Sequence, residues 1–159
     1  MNFIEYLKMQ ESVEIRQINP EDDWEDASKA EAIATISGIR TGRDKEPTII
    51  AYDEKGDVVG AAFTSFSKDN EFSDHYGEDV HRFEFDVVVH PKARGNDLVG
   101  IKLIRAAEQE KQSLENSFGR TFSRLWVVNP QLARLLQTPK FGYEAESGYK
   151  DGTAHLLKW

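Results

Sequence analysis

A chain of 159 residues with 39% hydrophobic and 30% charged content fits one soluble domain, which at this length buries roughly 70% of the surface its unfolded chain exposes. It has no cysteine, which excludes disulfides, thiolate metal sites and a cysteine nucleophile and fits a cytoplasmic location. The formal net charge of -8, from 28 acidic and 20 basic residues, argues against general nucleic-acid binding and mildly favours a cationic substrate or partner.

Residues 1–12 read as an amphipathic arm with Phe3, Ile4 and Leu7 on one side, packing on the domain or on a second copy in a homodimer. Glu5, Lys8 and Glu11 interrupt any apolar core of signal length, and no window reaches the ~20 apolar residues of a membrane helix, so no membrane association is expected. Residues 13–159 read as a single domain. Val13 to Ile18 alternates like a half-buried strand. Asn19-Pro20 with Glu21, Asp22 and Asp23 predicts a helix start, followed by Ala27, Ala30, Ile33 and Ala34 at helical spacing and a stop near Gly38. Thr48 to Tyr52 and Val58 to Phe63 flank an acidic, glycine-containing turn and predict a β-hairpin. Lys68 to Glu78 is polar and reads as a loop. Phe83 to Val89 is the strongest strand pattern and stops at Pro91. Leu98 to Ser117 is helical by its spacing of Val99, Leu103, Ala107 and Leu114. Phe122 to Val128 follows as a strand, then a short helix opened by Asn129-Pro130 and ended by Pro139 and Gly142. Tyr143 to Glu146 and Ala154 to Trp159 read as two late strands. The order predicts a mixed α/β domain with a central β-sheet flanked by helices.

The chemistry concentrates between Val87 and Gly100. A strand runs into a basic, glycine-bearing loop, Lys92-Ala93-Arg94-Gly95-Asn96, and then a helix. Unpaired N–H groups at a helix amino terminus attract anions, and Lys92 and Arg94 add positive charge, so a phosphate-bearing ligand is expected. A tight strand-to-helix turn without a ligand is the alternative.

The stretch Val89-His90-Pro91-Lys92-Ala93-Arg94-Gly95, with Lys102-Leu103-Ile104 after it and Asn129, Ala133 and Gly142-Tyr143 further on, resembles the motifs of the GNAT superfamily of acyl-CoA-dependent N-acyltransferases. The likeness runs from about Val13 to Trp159. It implies a strand–loop–helix site for acetyl-CoA, the co-substrate, built from Val87, Val88, Val89, Arg94, Gly95, Asn96, Gly100 and Asn129. It also implies direct attack of a primary amine, from a small molecule or a protein, on the thioester. The backbone N–H groups of Val87 to Val89 would polarise the acyl carbonyl. For the base, Glu84 and Asp86 share one face of their strand by period two; the alternative is that both are solvent-facing polar residues of an alternating strand.

The chain departs from the pattern in the loop and in the late helix. One residue inserted around Asn96-Asp97 leaves Leu98 where the pattern has glycine and keeps Gly100; without the insertion both glycines are replaced, by Asp97 and Val99. Asp97 either caps the helix and faces outward, the arrangement we expect, or opposes the pyrophosphate. The place of the tyrosine that protonates the leaving thiolate holds Gln137 or Thr138. Two function classes therefore stand: a working N-acetyltransferase, and a catalytically inactive binding or regulatory module of the same fold. Among the remaining residues, His75 and His81 read as surface-loop residues without zinc spacing, and His90 is expected to point away from the acyl site. Arg40, Arg43 and Lys45 read as a solvated turn. Trp24, Trp126 and Trp159 read as core or interface aromatics.

Overall fold

The computed structural model describes residues 2–4, 13–38, 44–94, 97–127, 129–150 and 153–159, apart from the side chains of 97, 147–150 and 153. Much of the amino-terminal arm, and Arg40 and Arg43, lie outside the described residues. The strands are β1 (Glu14–Gln17), β2 (Glu46–Tyr52), β3 (Val58–Lys68), β4 (His81–Val89), β5 (Thr121–Val127), β6 (Glu144–Lys150) and β7 (Thr153–Lys158). The helices are α1 (Trp24–Ile36), α2 (Asn70–Tyr76), α3 (Asp97–Phe118) and α4 (Pro130–Leu136). The strands form one mixed sheet in the order β1-β2-β3-β4-β5-β7-β6. The chain divides into two compact units, residues 1–64 with 87–107, and residues 65–86 with 108–159.

In the first unit β1, β2 and β3 pair antiparallel. The β2–β3 turn is held by Asp53, whose Oδ1 accepts from the N–H groups of Lys55 and Asp57 at 2.9 Å each, and Gly56 supplies the positive φ of +83°. α1 buries Ala27, Ala30, Ile33 and Ala34, and the last three pack with Ile50, Tyr52, Ala61, Phe63 and Val88 in one core. This helix starts at Trp24, later than the Asn-Pro signal suggests. The reason is local: Asn19 Oδ1 accepts from Glu21 N, and Asn19 O accepts from Asp23 N, so residues 19–23 close a turn of their own.

In the second unit β4 and β5 run parallel, from His81 opposite Thr121 to Phe85 opposite Leu125, and β7 pairs antiparallel with β5 and β6. The segment read as a loop contains α2, which corrects that reading. Asp69 caps it by accepting from Phe72 N at 2.8 Å, Gly77 ends it at φ +67°, and Ser73 Oγ accepts from Val80 N. Only Phe72 and Tyr76 give it an apolar side, against Phe122 and Trp159, so its periodicity is too short to read.

Candidate active site

The close packing beside the β4–α3 turn begins with Gly60. A Cβ there would lie 2.9 Å from Val88 O, 3.1 Å from Leu103 and 3.3 Å from Val99, so glycine is required for β3 to meet β4 and α3. Val88, Val99, Leu103, Ile104 and Ala107 are fully buried, which keeps α3 in the register expected from its spacing. His90 N donates to Val59 O at 2.8 Å, anchoring the end of β4.

From that anchor the chain makes one 3-10 turn, Pro91–Ala93. His90 Nδ1 accepts from Lys92 N at 3.1 Å, and Ala93 N donates to His90 O. His90 is therefore a turn-holding residue. Lys92 and Arg94 remain exposed, and Arg94 Nε donates to Val89 O at 3.2 Å. Gly95 and Asn96 lie outside the described residues, as does the side chain of Asp97, on which its expected outward direction depends. Gly100 stands in the first turn of α3. Among the described residues a Cβ there would meet only Val89 Cγ2 at 3.9 Å, so their packing does not require glycine at this position.

The two carboxylates stand in the second unit. Neither is a solvent-facing strand residue: Asp86 is 7% exposed and the Glu84 side chain 16%. Glu84 Oε1 lies 3.0 Å from Arg82 Nε and 3.7 Å from an Arg124 nitrogen. Arg124 in turn donates to both oxygens of Glu146, at 2.8 and 3.1 Å. Burial opposes the Arg124 charge, but the Glu146 hydrogen bonds and the charges of Glu146, Glu84 and Asp69 outweigh it and raise its pKa. Arg82 also lies 3.6 Å from Asp69, so α2, β4, β5 and β6 share one charge network that sequence spacing did not reveal.

Asn129 Oδ1 accepts from Gln131 N and Leu132 N, which makes it the cap of α4. At the other end of that helix Gln137 Nε2 donates to Ala133 O and the Thr138 hydroxyl to Leu135 O. Both residues in the expected tyrosine position thus satisfy helix carbonyls. His81 stacks on Phe66 at 5.1 Å and His75 packs edge-on against Tyr76 at 4.9 Å. Of the two readings of the tryptophans, core or interface, the core one is corrected: Trp24, Trp126 and Trp159 are 62, 48 and 43% exposed. Among the described residues no helix is long and apolar enough to cross a membrane.

No protein-family model matches the chain, and no curated protein does. Solved structures do. A GNAT superfamily phosphinothricin acetyltransferase from Sinorhizobium meliloti, in complex with AcCoA, matches with TM-score 0.57 and 18% identity over 92% of this chain and 88% of that one. An agmatine N-acetyltransferase matches with TM-score 0.61 and 13% identity over 92 and 98% of the two chains. Ard1 from Thermoplasma volcanium matches with TM-score 0.58 and 21% identity over 92 and 97%. The shared architecture, with the strand–turn–helix at β4 and α3, establishes that the chain has the GNAT fold.

Proposed function

We propose that the protein is an N-acetyltransferase that moves an acetyl group from acetyl-CoA to a primary amine of a small molecule or protein. The observation that carries this reading is the β4–α3 turn. In it exposed Lys92 and Arg94 precede a 22-residue helix in whose first turn stands a glycine that packing among the described residues does not need. A glycine without a packing role keeps backbone open to a phosphate. Gly95 and Asn96 belong to the same proposed loop, and the Val87 to Val89 amides are proposed to polarise the acyl carbonyl. Asn129 contributes through the helix start that it caps.

The reaction is direct. The amine nitrogen attacks the thioester carbonyl, the C–N bond forms, the C–S bond breaks, and coenzyme A leaves as a thiolate that takes up a proton. The proton shed by the attacking ammonium goes to a base, for which Glu84 and Asp86 are the candidates. Glu84 takes that role only by loosening its contacts with Arg82 or Arg124.

The engagement of Glu84, Gln137 and Thr138 in structural contacts favours a second reading, a non-catalytic module of the same fold. Calorimetry with coenzyme A separates the readings from failure of both. Binding is expected, weakened about tenfold by Arg94→Ala and less by Lys92→Ala. Absence of binding at millimolar coenzyme A overturns the proposal. Binding without amine-dependent release of the thiol selects the second reading.

A further inference from the structure

Three X-Pro steps among the described residues close the same small turn. Asn19 Oδ1 accepts from Glu21 N at 3.0 Å across Pro20, and Asn129 Oδ1 accepts from Gln131 N at 2.9 Å across Pro130. His90 does the same across Pro91, with Nδ1 accepting from Lys92 N at 3.1 Å. In each, a side-chain acceptor satisfies the N–H two residues on, and proline restricts the backbone between them. Asparagine is a common choice for this task, and its oxygen accepts at any ordinary pH. An imidazole nitrogen accepts only while it carries no proton. Of the three turns, the one built with histidine is the one between β4 and α3.

His90 is half-buried, so solvent protons reach it. The charged side chains on the stretches that meet there are Lys92 and Arg94 on the turn itself and Asp57, two residues before the Val59 whose carbonyl accepts from His90 N. Asp86 precedes it by four residues on β4, and Asp97 opens α3. We propose that His90 is a positioning residue that makes the β4–α3 turn, and with it coenzyme A binding, sensitive to pH. Neutral His90, with its proton on Nε2, holds Lys92 N. Once Nδ1 is protonated, one N–H faces another, and the stretch from Pro91 to Arg94 loses one of the bonds that fix it. Two backbone bonds remain, Ala93 N to His90 O at 2.8 Å and Arg94 N to Pro91 O at 3.2 Å, so the turn loosens without coming apart. On the acyltransferase reading, on which this depends, Lys92 and Arg94 are the cations beside the phosphates. Coenzyme A then prefers the neutral form of His90 and, by linkage, holds His90 neutral.

The test is calorimetric binding of dephospho-coenzyme A between about pH 8 and about pH 5.5, the range in which histidine changes charge, with the His90 ring protons followed by NMR. This probe lacks the phosphate monoester, whose own second ionisation falls near about pH 6. The native protein is expected to lose roughly three- to tenfold in affinity toward the acid end, the contribution of one hydrogen bond. His90→Asn keeps the acceptor without the titration, so it should restore native affinity at the alkaline end and stay level toward the acid one. His90→Ala should bind weakly throughout. The probe should lower the midpoint of the His90 titration. A midpoint raised by the probe makes the imidazolium a phosphate ligand and overturns the inference, as does the native slope persisting in His90→Asn. If the probe binds at no pH while the Lys92 amide signal still follows the His90 titration, the coenzyme A reading falls and the pH-sensitive turn stands. Should His90→Ala fail to fold, His90→Asn and the midpoint decide.

Discussion

Gly60 and Gly100 lie on two sides of the same packed seam, and they differ in why they are glycine. At Gly60 the nearest atom to an added Cβ is a backbone oxygen at 2.9 Å, which has no rotamer to escape into. At Gly100 the nearest is a valine methyl at 3.9 Å, an ordinary contact. A glycine inside a helix costs roughly 1 kcal/mol relative to alanine, so one that packing does not demand points to another requirement. The contrast teaches how to separate residues the fold needs from residues left over for a ligand.

The largest expected effect tests the first side. Gly60→Ala should destabilise the protein by up to about 3 kcal/mol in urea denaturation, because the overpacked Cβ meets backbone. A neutral outcome would break the comparison at its firmer end. Next, the same question is put to β4. If either carboxylate is the base, Glu84→Gln or Asp86→Asn should slow amine-dependent thiol release about a hundredfold. Unchanged rates in both remove them from the mechanism and leave Glu84 as a member of the Arg82–Arg124 network only. The third effect is smaller and opposite in sign for stability. Gly100→Ala should raise stability by up to about 1 kcal/mol while lowering coenzyme A affinity about tenfold. A gain in stability with unchanged affinity would leave Gly100 unexplained.

The smallest effect sharpens the structural side, away from any ligand. Tyr52 donates its hydroxyl to Asp26 at 2.6 Å, and Tyr52→Phe should cost about 1 kcal/mol at neutral pH. Burial, and then the Asp26 hydrogen bond, push the Tyr52 pKa up from its ordinary value of 10.0. The folded state therefore holds this proton more tightly than the unfolded chain. Its contribution is complete below about pH 10 and is lost as pH rises toward the folded value. Stability measured from pH 9 upward should fall in the native protein, with a flatter slope in Tyr52→Phe.

Much of the element order was legible because it rests on near-neighbour patterns. The alternation of residues 13–18, the acidic turn at Asp53–Asp57, the helical spacing of Val99, Leu103 and Ala107, and the Asn129-Pro130 cap each act within a few residues. α2 was missed because two aromatic side chains do not make a readable period, although Asp69 and Gly77 mark its ends. The start of α1 was misplaced because Asn19 spends its capping groups on a tighter turn. Of the candidate site, the basic turn was visible in the sequence, since Lys92, Arg94 and the helix start are contiguous. The engagement of Glu84 was not, because its partners come from its own strand and from a strand forty residues away.

By itself, then, the sequence determined the elements that local hydrogen bonding and apolar period decide, and the charge and glycine content of the β4–α3 turn. Only the tertiary structure decided which glycine is forced by a backbone carbonyl, which carboxylate is held by guanidiniums, and that the tryptophans remain open to solvent. Those outcomes depend on atoms brought together by strand pairing between distant segments. Such pairing leaves no trace in the spacing of either segment alone.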